Sequence, residues 1–122
     1  MNEVTYQFQI FLRNGSLQDQ YSSTSKTASQ SSAFLIRNVQ HVGVASSGDA
    51  LDLGGVTGAG YAVFQNLDAT NFIEVGSNVG GTFYPFLKLK AGEQQLVRIA
   101  VSAPYAKADT APVNLFYIIY ND

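Results

Sequence analysis

Large apolar residues alternate with polar ones along most of the chain, and this two-residue period is typical of half-buried β-strands. In residues 4–12 the apolar face carries Val4, Tyr6, Phe8, Ile10 and Leu12. Asn14-Gly15 follows, and Asn-Gly between two such runs indicates a hairpin turn. Residues 16–23 are therefore predicted to return as a polar partner strand at a sheet edge. The Ser/Thr-rich residues 24–32 show no core face and are predicted as a loop.

The same alternation predicts further strands at residues 34–42, 61–67, 71–75, 83–89, 95–101 and 114–120, with a short one at 50–53. Pro85 interrupts one of them, and proline cannot donate to a ladder, so that strand is expected at an edge or with a bulge. Residues 103–112, which contain two prolines, are predicted as a loop. The apolar run at 114–120 is expected to be a central strand.

About eight short strands and no helix predict an all-β fold, an antiparallel β-sandwich for which a jelly roll is one arrangement. The length of 122 residues fits a single domain over residues 1–122. No stretch is long enough to span a bilayer. The N-terminus lacks the basic and apolar regions of a secretory signal, so we expect synthesis in a cytoplasm without an export address.

The low charge of the chain limits the classes of partner that it can bind. Only 13% of residues are charged, and the formal net charge is -2. Nucleic-acid binding requires clustered Lys and Arg, and the seven basic residues here are scattered, so nucleic acid is not expected as a partner. With no cysteine, disulfides and thiolate chemistry are excluded. A surface poor in charge suits burial against other proteins.

Candidate catalytic residues are few. His41 is the only histidine, and Ser46, Ser47 and Asp49 follow it, but a triad depends on geometry that this spacing does not supply. A surface histidine near a strand end is the favoured interpretation. Asp49 and Asp52 offer too few oxygen ligands for calcium.

Other acidic residues and a glycine-rich run have simpler interpretations as well. The two carboxylates that a glycosidase requires would have to come from Asp68, Glu74, Glu93 and Asp109, which are candidates by residue type only. Asp68 and Glu93 are expected in turns, and Glu74 on an outward face. The glycines at 55–60 lack the Gly-Lys-Ser/Thr ending and the helix of a phosphate loop. We therefore predict no catalytic, cofactor-binding or metal-binding residue, and a protein that is not an enzyme.

The aromatic residues are better candidates for contact surfaces. Tyrosine is enriched at protein interfaces because its ring is apolar and its hydroxyl polar. The predicted protein-interface residues are Tyr21, Tyr105, Lys107 and Tyr120. Residues 21–32, which have no core face, are expected to become ordered on a partner subunit.

Three segments resemble small structural proteins encoded by tailed bacteriophages. They are FQNLDATNFIEVG (64–76), GTFYPFLKLKAGE (81–93) and PYAKADTAPVNLFYIIY (104–120). The first sixty residues show no such resemblance. The resemblance implies a virion component built as a β-sandwich module, and it implies no catalytic residues.

On this basis we expect a capsid cement or decoration protein that binds and stabilises the major capsid shell. A phage tail or fibre-base component is one alternative. A carbohydrate-binding β-sandwich module is another, although the absence of tryptophan removes the largest stacking surface. The expected location is the virion, the expected partners are the major capsid protein or other virion proteins, and a homo-oligomer, either a dimer or a trimer, is expected.

Overall fold

A computed structural model describes residues 3–122, and within this range all regular structure is β-strand. The twelve strands are β1 Val4–Tyr6, β2 Gln9–Asn14, β3 Leu17–Ser22, β4 Lys26–Ala28, β5 Leu35–Val42, β6 Asp49–Ala50, β7 Ala59–Asn66, β8 Ile73–Val79, β9 Thr82–Leu89, β10 Gln94–Arg98, β11 Tyr105–Ala108 and β12 Val113–Asn121. All strand pairs are antiparallel. The all-β, antiparallel prediction is confirmed, with twelve strands in the described residues instead of about eight.

The chain forms two compact units, of which the first ends at Ser31 and the second spans Ser32–Asp122. A single domain over residues 1–122 stays a prediction, and the two units are described separately.

The first unit contains two small sheets, β1 paired with β4 and β2 paired with β3. Asn14 pairs with Leu17, so the central residues of the predicted hairpin turn are Gly15 and Ser16, one position later than expected. Gly15 has a φ of 59°, and Ser16 has a negative φ, as in hairpin turns that place glycine first. Strand β4 lies inside the segment that was predicted as a loop. Its sequence Lys-Thr-Ala has no large apolar residue that could mark a buried face.

The second unit is a sandwich of two four-stranded sheets. The β12 sheet has the strand order β10-β7-β12-β5, and the β8 sheet has the order β6-β11-β8-β9. Alternate residues of each sheet point into a shared core, whose fully buried members include Val42, Ala62, Phe64, Ile73, Val75, Ala106, Val113, Leu115, Tyr117 and Ile119. The predicted β-sandwich is confirmed for this unit, and β12 is a central strand as expected.

Strand β11 corrects the loop prediction for residues 103–112. Residues Tyr105–Ala108 pair with β8 on one side and with β6 on the other. The inward residues are Ala106 and Ala108, which are too small to produce a recognisable apolar alternation. Of the two prolines that suggested a loop, Pro104 lies immediately before β11 and Pro112 immediately before β12.

Strand β9 shows both features that Pro85 predicted. It forms the end of the β8 sheet, and the register shifts between Val75 and Gly76, opposite Pro85. The strands approach so closely there that a Cβ on Gly76 would lie 2.1 Å from the carbonyl oxygen of Tyr84. Only glycine fits at this position of the bulge.

Candidate interaction surfaces

His41 lies on the exposed side of β5, as predicted, and its neighbours do not form a triad. The His41 ring atom Nδ1 is 3.1 Å from Oδ1 of Asn114 on β12. The Asp49 carboxylate instead accepts a hydrogen bond from the Gly43 backbone N–H at 2.7 Å. Within residues 3–122 no three acidic or histidine side chains are grouped so that they could hold a metal ion.

The other acidic candidates also have structural partners. The Asp68 carboxylate accepts the backbone N–H groups of Asn71 and Thr70, at 2.6 Å and 3.0 Å. These hydrogen bonds, the one from Asn71 above all, stabilise the charged form and hold the pKa of Asp68 below its usual value. Glu93 accepts the Lys90 N–H at 2.7 Å, so both residues fix turns as expected.

Glu74 faces outward from the β8 sheet, between two lysines. In the strand register it lies opposite Lys107 of β11 and opposite Lys88 of β9. The Lys88 ammonium also lies 3.9 Å from the centroid of the Phe72 ring. The outer face of this sheet therefore carries alternating charge, which suits contact with water.

Buried polar side chains in the sandwich fasten its loops. Asn66 donates to the carbonyl oxygens of Asn71 and Leu89 and accepts the Asp68 N–H. Among the described residues, every buried side-chain nitrogen or oxygen has a hydrogen-bond partner. These groups are therefore used in holding the fold together.

Tyr117 is the largest such residue, with a fully buried ring. Its hydroxyl lies 2.7 Å from the carbonyl oxygen of Asp52, 3.1 Å from Gln40 Oε1 and 3.1 Å from Asn38 Nδ2, which donates to it. Burial raises the pKa of the Tyr117 hydroxyl, because the charged form would lose its hydration. The hydroxyl ties the segment after β6 to the β12 sheet.

The four predicted interface residues lie on three separate surfaces. Tyr105 and Lys107 are half-buried on the outer face of the β8 sheet, and Tyr120 is half-buried on the outer face of the β12 sheet. Tyr21 lies on β3 of the first unit and is 56% exposed. Tyr105 belongs to a strand and not to the loop in which it was expected. The structure does not gather the four into one site, and their role in contacts stays a prediction.

The outer face of the β12 sheet is mainly apolar. It carries Leu35 and Val39 of β5, both more than half exposed, between which Arg37 projects. The remaining apolar members are half-buried or nearly buried, and they are Tyr61, Val63, Leu96, Phe116, Ile118 and Tyr120. We call this set the apolar outer face.

The sequence contained an indication of this face. In residues 114–120 both alternating sets are apolar, since Phe116, Ile118 and Tyr120 alternate with Leu115, Tyr117 and Ile119. A strand that is apolar on both sides is expected to be covered on both sides. The expectation of a central strand explains why β12 pairs with a strand on each side. It does not explain why the outward side chains of β12 are also apolar.

A second apolar surface lies on the β2–β3 hairpin. The strand register places Phe8, Ile10, Leu12, Leu17 and Tyr21 on one side, which we call the hairpin apolar face. Their exposed fractions lie between 42% and 60%. Residues 4–12 were predicted as a half-buried strand, whereas all six residues of β2 are exposed. The alternation was identified correctly, but no other strand of the first unit covers the face it defines.

Comparison of the chain with family models, with curated proteins and with solved structures gives no match. Within residues 3–122 there is no helix long and apolar enough to cross a membrane.

Proposed function

We propose that this chain is a non-enzymatic structural protein of a tailed-bacteriophage virion, a cement or decoration protein that binds and stabilises the major capsid shell. The observation that carries the proposal is the exposure of two apolar β-surfaces, the hairpin apolar face and the apolar outer face. Exposed contiguous apolar surface marks sites of association with other proteins. The virion context comes from the resemblance of residues 64–76, 81–93 and 104–120 to phage structural proteins.

The strand order supports a jelly roll as the architecture of the second unit. Its pairs are nested: β8 pairs with β9, β7 with β10, β6 with β11 and β5 with β12, and successive pairs alternate between the two sheets. Eight strands folded in this way are the arrangement of a jelly roll, which occurs in viral capsid and lectin domains. This order favours a binding or structural module, although a fold alone does not specify a function.

The polar side chains that could in principle take part in catalysis support a structural role as well. Asp68 and Asp49 bind backbone N–H groups, and the Tyr117 hydroxyl fastens a loop. Each therefore has a structural partner. A cement protein needs many modest contacts that are multiplied by copy number, because repeated contacts raise the avidity for a shell. Apolar β-surfaces with few charges suit such contacts.

The proposal is tested by the copy number of this protein in purified virus particles, measured by quantitative mass spectrometry against the major capsid protein. A cement role predicts a simple ratio to the capsid subunits. A few copies per particle would instead indicate a component of the tail or fibre base. Complete absence would contradict the virion proposal and leave a carbohydrate-binding module, which glycan-array binding would then test.

A further inference from the structure

The β2–β3 hairpin is apolar on one side only, and a partner on that side would stabilise it. A two-stranded hairpin is marginally stable by itself in water, because one pair of strands cannot bury its side chains. Every residue of β2 and β3 is exposed. The opposite side of the hairpin is polar apart from Phe11, and carries Gln9, Arg13, Gln18, Gln20 and Ser22. An occupant that covered only the hairpin apolar face would therefore leave a surface suited to water.

The apolar outer face of the β12 sheet matches this hairpin in size. Six-residue strands are about 20 Å long, and the eight residues of β5 extend about 26 Å. A hairpin two strands wide fits within a face four strands wide. Leu35 and Val39 are 55% and 52% exposed, so this face also has apolar surface left to bury.

The two faces carry complementary charge. Asp19 lies opposite Leu12 and is the one charged residue on the hairpin apolar face. Arg37 is exposed between Leu35 and Val39, and the other arginine on its face, Arg98, already binds Asp122 at 2.5 Å. Neither Asp19 nor Arg37 has an ion-pair partner among the described residues. An acidic residue in one apolar surface and a basic residue in the other favour their pairing.

We propose that the hairpin apolar face of one copy docks on the apolar outer face of the β12 sheet of a second copy, with Asp19 placed near Arg37. In a ring of two or three copies each copy gives one hairpin and receives one, and the exposed Val79, Tyr84 and Phe86 of β8 and β9 stay available for another partner. This exchange does not require the virion role proposed above, and it would equally serve another binding module.

The first test is the mass of the full chain in solution, measured by light scattering over a range of concentrations. The proposal predicts two or three times the chain mass of 13.1 kDa. Ile10→Asp should weaken assembly by about tenfold or more, since it places a charge in the contact. Phe11→Asp is the matched control, because Phe11 is equally exposed on the opposite side of the same strand. It should leave the mass unchanged.

A charge exchange tests the assigned pairing independently of hairpin stability. Asp19→Arg and Arg37→Asp should each weaken assembly, and the two together should restore it. A wild-type chain that stays monomeric at about 100 µM would overturn the proposal, because even a weak affinity, with a Kd on the order of 10⁻⁴ M, would give assembly at that concentration. The hairpin apolar face would then be covered by another protein. An equal effect of Ile10→Asp and Phe11→Asp, or no restoration in the double variant, would also overturn it.

Discussion

The β2–β3 hairpin and strand β12 carry similar patterns with opposite outcomes. Both alternate large apolar residues along the strand, Ile10 and Leu12 in one and Leu115 to Ile119 in the other. In β12 the inward set is fully buried by the facing β8 sheet, whereas Ile10 is 59% exposed. The difference is that β12 has a second sheet against its inner side and the hairpin, within its own unit, has none.

Alternation of apolar and polar residues reports on the faces of a strand and not on their surroundings. It identifies which residues share a face, because successive side chains of a strand point to opposite sides. It does not identify what covers that face, which is decided by the packing of distant segments or by another molecule. An alternating strand that the chain itself leaves exposed is therefore a candidate interface.

The same truncation in both regions should have the largest difference in effect. Ile119→Ala removes a fully buried side chain from the core and should lower the free energy of unfolding by about 4 kcal/mol. Ile10→Ala, measured at a concentration where the chain is monomeric, should change it by less than about 0.5 kcal/mol. Urea unfolding of both variants measures this, and equal losses would show that the hairpin belongs to a core.

Gly76 tests how closely β8 and β9 pack at the bulge. Gly76→Ala places a Cβ 2.1 Å from Tyr84 O and 2.7 Å from the Cα of Pro85, both backbone atoms that cannot move aside freely. We expect a loss of about 3 kcal/mol from this overpacking. Gly58→Ala, where a Cβ meets nothing within 4 Å and φ is not positive, is the control and should be neutral or slightly stabilising. Equal thermal unfolding temperatures for the two variants would contradict the close approach at the bulge.

Removing one buried hydroxyl should have a smaller effect. Tyr117→Phe leaves the ring in the core but deprives Asn38 of a hydrogen-bond acceptor, with an expected loss of about 1–2 kcal/mol. Because the pKa of Tyr117 is raised in the folded state, its contribution is complete below the ordinary Tyr pKa of about 10 and is lost as the pH rises through the folded value. Wild-type stability should thus fall more steeply than that of the variant at high pH. Parallel slopes would contradict the burial of this hydroxyl.

The turn at Asp68 should give the smallest effect. The folded-state pKa of Asp68 is lowered, so the stability it contributes is present above the ordinary Asp pKa of about 4 and is lost as the pH falls through the folded value. Asp68→Ala should lose this acid dependence, and Asp68→Asn, whose amide oxygen still accepts the Asn71 N–H, should retain most of the neutral-pH stability. The unfolding free energy measured between pH 2 and pH 6 checks both, and identical pH curves for wild type and Asp68→Ala would refute it.

Much of the fold could be predicted from the sequence because large apolar side chains marked its faces. The strand at 34–42, the β2–β3 hairpin and the edge position of the strand containing Pro85 follow from alternation and turn chemistry. Strand β11 could not, since its inward residues Ala106 and Ala108 are small. The pairing order was not accessible either, because it depends on contacts between residues far apart in the chain.

The interaction surfaces were less predictable for a related reason. Tyr105 was expected to make contacts because a loop was predicted around it, and Tyr120 because of its residue type, but neither reason tells which face of a sheet a residue occupies. The apolar outer face was detectable in part from the two-sided apolar run at 114–120. Its more exposed members, Leu35 and Val39, could be recognised only once β5 was paired beside β12.

The hairpin apolar face, as proposed above, is an interface between copies and not part of a core. The most direct measurement is hydrogen–deuterium exchange of the backbone amides of β2 and β3 at several protein concentrations. If a second copy covers the hairpin, these amides should exchange rapidly in dilute solution and slowly at high concentration, while the amides of β7 and β12 stay protected throughout. Hairpin exchange that is slow at every concentration, or that never slows, would show that no second copy covers the hairpin.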